Sequence, residues 1–493
     1  MRQISKRILA IITTLLVCSV ANADPDIISQ FPLDNYNQNI ATWINPNDAD
    51  YNKPLITSEA QQQRQDEFYN HYFGSKSPWN ENYVNPIFHQ SAPDDVKTIQ
   101  QTIIDSFNNQ NKPANEINYG ENYIPHSAEW IDKITKNINI LQFNALTYQT
   151  KNRAIAITNL HARALPTDDP CFNSYKIAGE GYPFDNLQMS SIWVGTPLYI
   201  LGETQDHAWS MVLTPDFIGW VKSNGIARVN DRFVNQWQAA AKNNLAAITR
   251  TETSLVDEKK QFLLYAYVGT VLPTEKKMGN AKLLLPVADS NHNATIKYIN
   301  VSNDNFILMP LTATPHNFAA VMSTLIGRPY GWGNMYFYND CSAELKNLYT
   351  PFGIFLPRHS SNQVTVGKMV DMTSASPEQR LAYLMANGQK LMTIVYIGGH
   401  IFMYLGNYTD PTSHGQVAMT YQDVWGLSPV PAVRRAVIGK AVLIPLLLQF
   451  PEDTSLSSEA AKSFFQVAYL DQIPINNLKS EIINLRALMF PSV

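Results

Sequence analysis

The sequence predicts a multidomain α+β protein: a helical N-terminal domain, two small β-barrels, and a C-terminal domain mixing helix and strand. Three observations lead there. The 493 residues exceed the roughly 250–300 that a single hydrophobic core usually serves. Near residue 151 the apolar pattern changes from helical spacing to short β-branched and aromatic runs broken by Gly, Pro and Asp. Beyond about residue 309 both patterns occur together. A composition of 45% hydrophobic and 16% charged residues, with no low-complexity tract, fits folded domains and not a disordered chain.

Residues 1–23 read as a secretory signal peptide, and so predict export to the periplasm or the exterior. Arg2, Lys6 and Arg7 precede the apolar run ILAIITTLLV, and Ala21-Asn22-Ala23 offers a cleavage site before Asp24. The run is shorter than the ~20 residues of a membrane span. Val17 before Cys18 is bulkier than a lipoprotein site wants. Loss of the segment takes the formal charge from −4 to −7. No basic block remains, which excludes nucleic acid as a partner. No later stretch is long and apolar enough to insert stably in a membrane; AVLIPLLLQF comes nearest and contains Pro445. Oligomeric state has no signature in the sequence.

Residues 24–150 carry helical patterns at SEAQQQRQDEFYNHYF and DDVKTIQQTIIDSF. In the second, Val96, Ile99, Ile103, Ile104 and Phe107 share one helix face, with Asp94 or Asp95 as cap. Residues 151–230 form the first barrel. Its stretch GTPLYILGETQDHAWSMVLTPDFIGWVKSNGIARV resembles a bacterial SH3 domain, with Trp209 and Trp220 as core. Residues 231–308 supply a linking helix, DRFVNQWQAAAKNNLAAI, and a second SH3-like barrel. In 309–493, NFAAVMSTLIG and CSAELKNLYTPFG are helical and LMTIVYIGGHIFMYLGNY gives two strands. VRRAVIGKAVLIPL reads as a strand pair and SSEAAKSFFQVAYLDQI as an amphipathic helix.

Of three cysteines, Cys18 leaves with the signal, so Cys171 and Cys341 either pair or one is a nucleophile. Cys171 lies in a turn-rich stretch, DDPCFNS. Cys341 stands at a helix start among Asn339, Asp340 and Ser342, where free N–H groups and the helix dipole favour a thiolate. His400 follows Gly398-Gly399 and opens an apolar strand, the place for a base. Gln422, in MTYQDVWGL, falls on a neighbouring strand. Its side-chain carbonyl can accept the Nδ1–H of His400 and fix the ring, with Asp423 as competitor. There is no H-E-x-x-H, G-x-S-x-G or P-loop, and neither metal nor cofactor is required.

Cys on a helix, then His on a strand, then a polar residue, resembles the NlpC/P60 cysteine peptidases. GRPYGWGN with DCS at 340–342, PRHSSNQ at 357–363, GGHIFMYLG and YQDVWG each resemble a family motif. Asn334 replaces a usual Gly, and Gln422 stands where many relatives have His. The resemblance implies a papain-like (NlpC/P60) catalytic domain. It implies hydrolysis of peptidoglycan stem peptides or muropeptides at the γ-D-glutamyl-diamino acid bond, through a thioester on Cys341. By motif, Tyr330 and Trp332 line the cleft, Asp340 binds the peptide's free amine, Ser342 its γ-glutamyl part, and Ser360 adds a contact. Arg358 and His359 read as a solvated loop. A Cys⁻/His⁺ pair predicts a rate that falls on both the acid and the alkaline side. Two other readings share these features: a wall-binding protein with an idle peptidase domain, and an acyltransferase or amidase on the same fold.

Overall fold

The computed structural model describes residues 27–277, 280–300, 304–409, 415–473 and 484–489. The segment expected to be a signal peptide lies outside them. Among the described residues the C-terminal part is built on a seven-stranded sheet. Its order is Ile28–Gln30, Arg435–Leu446, Gln416–Leu427, Ile401–Thr409, Thr393–Tyr396, Gln466–Tyr469, Lys368–Asp371. All neighbours are antiparallel except Ile28–Gln30, which runs parallel to Arg435–Leu446. The helices Pro315–Met322 and Cys341–Tyr349 cover one face, sharing a core with Ile394, Ile401, Met403 and Tyr421. The helix Pro377–Asn387 contributes Leu381 and Leu384 to a second core that includes Val395 and Phe402.

Two sequence expectations fail here. SSEAAKSFFQVAYLDQI is not a helix: Glu459–Ala461 is a single 3₁₀ turn and Gln466–Tyr469 is an interior strand. Phe465, Val467 and Tyr469 enter one core, while Ala468 and Leu470 enter the other. That alternation is the period of a strand buried on both faces. VRRAVIGKAVLIPL is one strand, Arg435–Leu446, and not a pair. Gly439, at φ +66°, kinks it without reversing it, and the Gly439 carbonyl accepts the Tyr330 amide at 2.9 Å.

The first barrel orders seven strands: Gln188–Ile192, Leu160–Arg163, Ile218–Lys222, Trp209–Leu213, Pro197–Glu203, Arg153–Ala156, Ile226–Arg228. Leu198 and Ile200 fill one face, Tyr199 and Leu201 the other. Trp209 and Trp220 are buried on that second face, against the helices Val96–Ser106 and Ala128–Ile138. The Trp220 indole donates to Gln100 Oε1 at 3.1 Å. Asp95 caps Val96–Ser106, and the five apolar residues of its face are all buried. The second barrel places Leu245–Ile248 between Val271–Lys277 and Phe306–Leu308, with Asp231–Asn244 packed on it.

The N-terminal helical region has its buried residues distributed over other cores. Ile44 and Ile56 enter the catalytic core, Phe68, Tyr72, Phe73 and Trp79 the second barrel's, and Val84 to Phe143 the first barrel's. It works as a strap across all three.

Candidate active site

Cys341 is the first residue of the helix Cys341–Tyr349, capped by Asp340. Its own amide therefore lacks an intrahelical acceptor. Leu345 and Leu348 anchor the helix in the core. Gly398 and Gly399, at φ +83° and +77°, turn the chain so that His400 precedes the strand Ile401–Thr409. Few residues but Gly take two such angles in succession. The Ile401 amide then reaches the Cys341 sulfur, as does the Ser342 amide.

His400 Nε2 donates to Gln422 Oε1 at 2.7 Å. The amide thus holds Nε2, not the expected Nδ1. Gln422 is itself fixed, since its Nε2 donates to Glu459 Oε2 at 3.0 Å and to Thr420 Oγ1 at 3.1 Å. Glu459 Oε1 stands 3.8 Å from His400 Nε2. Asp423 falls on the opposite face of the strand, beside Glu344 and Cys341, and burial pushes its carboxyl well up. The competitor therefore faces Glu344 and Cys341 and is not the hydrogen-bond partner of His400, which is Gln422.

Both Cys341 and Cys171 are free thiols, which excludes their pairing with each other. Burial pushes the Cys341 thiol up to about 12, and the Asp340 carboxylate adds to this. The Ile401 and Ser342 amides and Arg358 pull only partly the other way. This corrects the expectation of a thiolate: desolvation outweighs the helix start. Burial also pushes the Cys171 thiol upward, with Asp185 beside it.

Arg358 and His359, expected in a solvated loop, are buried. Arg358 donates to Ser190 Oγ at 2.9 Å and Ser342 Oγ at 2.6 Å, and pairs with Asp340. Burial pushes the His359 imidazole down to about 4, so it is neutral. Gln363 clasps the loop, donating to the carbonyls of Ser342 at 2.7 Å and Pro357 at 2.9 Å. Asp340 accepts from Ala343 N at 3.0 Å, Gly333 N at 3.1 Å, Ser342 Oγ at 3.2 Å and Arg358. Its charge is thus met within the protein by the Arg358 guanidinium.

Tyr330, Trp332, Asp340, Cys341, Ser342 and Ser360 all line one small cleft, of about 40 Å³, with Gln188 and Met189 of the first barrel. Trp332 packs edge-on against Phe184, ring centroids 5.2 Å apart. Asn334, the departure from Gly, sits at φ +61°, a region Asn tolerates. Its amide donates to Asn339 Oδ1 at 2.9 Å. The sequence reading missed Glu459, Gln188 and Ser190. None has a local signal, because each reaches the site through long-range packing.

The fold and this site define a two-layer α+β domain with a Cys-His-Gln constellation, flanked by two barrels. Family models match the chain as an NLPC_P60 stabilising domain, N term, at residues 8–143. They also match an SH3 domain of SH3b1 type at 170–222 and one of SH3b2 type at 230–277. An NlpC/P60 endopeptidase from Photobacterium damselae subsp. piscicida is similar at 30% identity and TM-score 0.77, covering 89% of this chain and 98% of its own. An NlpC/P60 family protein from Bacillus cereus follows at 16% identity and TM-score 0.40, covering 62% and 98%. A comparison with curated proteins finds no match. The chain belongs to the NlpC/P60 family.

Proposed function

We propose that the chain is an exported cysteine endopeptidase that hydrolyses peptidoglycan stem peptides at the γ-D-glutamyl-diamino acid bond. The observation that carries this reading is a cysteine at a helix start that meets the Ile401 amide, the residue before which is a histidine held at 2.7 Å by a buried amide. The similar Photobacterium protein, described as an NlpC/P60 endopeptidase, supports it.

The thiol is protonated at rest, so His400 acts as a general base during attack. As Cys341 Sγ bonds to the γ-carbonyl carbon, its proton moves to His400 Nδ1. The amide of Cys341 holds the oxyanion. The C–N bond then breaks, His400 protonates the departing amine, and a thioester remains on Cys341. Water, giving a proton to His400, attacks the thioester, and sulfur leaves with that proton. Gln422 keeps the ring in register, and Glu459, 3.8 Å from Nε2, stabilises the imidazolium. Glu459 acts as a positioning residue.

Digestion of defined stem peptides by the full chain tests the reading. Cys341→Ala and His400→Ala should each abolish release of two hydrolysis fragments, measured by mass spectrometry. Unchanged products from Cys341→Ala would leave a wall-binding role. An acyl adduct in place of a free acid would mark a transferase.

The pH profile separates the resting states. Protonated imidazole cannot accept the thiol proton, so the rate should fall on the acid side. With the thiol up near 12, no alkaline fall is expected before about pH 10. A preformed Cys⁻/His⁺ pair would instead give a bell with an alkaline limb below that, and kcat/KM against pH decides.

A further inference from the structure

Next to the catalytic cleft lies a larger groove of about 530 Å³ that shares Tyr330 and Trp332 with it. A ligand leaving the cleft across these two rings enters the groove. The barrel side and the N-terminal region contribute Tyr123, Phe172 and Tyr182; the catalytic segment contributes Tyr336 and Tyr338. Tyr123 is 52% exposed, and Tyr182 and Tyr336 are each 65% exposed. These rings are thus presented to solvent, not spent on a core. Tyr123 and Tyr336 also sit at φ +61° and +57°. Left-handed backbone is rare for bulky residues, and such strain concentrates at ligand clamps.

The charge of the groove selects among occupants. Among the described residues none lining it is Lys, Arg or His, while Glu121 and Asp185 are carboxylates. Asp185 is already paired with Arg163 at 2.9 Å. The stem peptide carries carboxylates, so this surface does not suit a second peptide. It suits a neutral ligand with apolar ring faces and a polar rim. An aromatic wall takes such a face by stacking, while hydroxyl and acetamido groups stay wet. The engaged Asp340 agrees: its four donors leave no free anion for a substrate ammonium. A stem whose first residue is still amide-linked to its sugar has no ammonium there.

We propose that this groove is a saccharide subsite holding N-acetylated amino-sugar rings still attached to the stem peptide, so that glycan-linked muropeptide or intact strand is the preferred substrate. The inference rests on the proposed peptidase function and adds to it. The test compares kcat/KM of the full chain on three substrates. These are a disaccharide-tetrapeptide, the same tetrapeptide freed of its sugars, and a cross-linked peptide dimer without glycan. The disaccharide form should be favoured by about tenfold, the scale of a good aromatic contact. Tyr182→Ala and Tyr336→Ala, both at exposed positions, should each remove much of that preference and leave the free tetrapeptide rate unchanged.

Equal wild-type rates with and without sugar overturn the proposal, as do variants that slow both forms alike. Preference for the glycan-free dimer would assign the groove to a second stem peptide and also overturns it. Calorimetric titration with an N-acetylglucosamine tetramer is independent of cleavage. Wild type should bind it and the Tyr182→Ala, Tyr336→Ala double variant should not. If no substrate is cut but the tetramer binds in this way, the peptidase reading fails and the sugar groove stands. If substrates are cut but the tetramer does not bind, the groove fails alone.

Discussion

The two barrels are modules of one kind put to different work. The first inserts the strand Gln188–Ile192 into the active site. Gln188 Nε2 donates to the Gly333 carbonyl at 2.9 Å, Ser191 Oγ donates to the Asn334 carbonyl at 3.1 Å, and Ser190 Oγ accepts from Arg358. The second barrel places no residue in the cleft among those described. It touches the catalytic part through Val268 in the core and through the Glu252–Arg328 pair at 3.1 Å. Likeness of module therefore does not imply likeness of role. One barrel lines the cleft and the other packs on the core of the helix Cys341–Tyr349.

The sharpest way to break this contrast is Arg358→Ala. It leaves Asp340 buried without its cation and severs the tie to Ser190, which should cost about 3–5 kcal/mol. Thermal unfolding and cleavage should both report the loss, and Arg358→Lys should restore charge without the three-way clasp. Gly333→Ala comes next. A Cβ there would stand 2.4 Å from the Gln188 carbonyl oxygen, at φ +60°. Pushing the barrel strand away should cost about 1–3 kcal/mol and lower kcat/KM more than stability alone accounts for. Glu252→Ala is the smallest. Its side chain is 54% exposed, so the expected cost is under ~1 kcal/mol, with cleavage unchanged. A large fall in kcat/KM for Glu252→Ala would erase the contrast.

What the sequence made legible was local. The helix start at Cys341, the glycine pair before His400 and the strand bearing Gln422 are each written within a few residues, and the fold keeps them. Burial of Arg358 is not written locally, because it depends on Ser190 and Asp340 arriving from other elements. The Gln466–Tyr469 segment has good helix formers before it and reads as amphipathic, yet sheet neighbours on both sides impose the strand period. Glu459 was hidden by the same misreading, since a helix there would not bring it to Gln422. The thiol was misjudged for a related reason. Polar sequence neighbours suggested hydration, whereas the folded helix start is closed over by the Ile401 strand and the Arg358 loop.

The short strand Ile28–Gln30 carries a consequence for timing. Its partner is the strand Arg435–Leu446, and the Ser29 hydroxyl donates to the Arg435 carbonyl across 406 positions of chain. Phe31 and Leu33 then cover Val442 and Ile444, which pair in register with Gln422 and Thr420. A contact of that span closes late, because the loop entropy must be met before the pairing rewards it. The strand behind the histidine's holder is thus sealed only when Ile28–Gln30 has met Arg435–Val437, so the seat of Gln422 is finished late in folding.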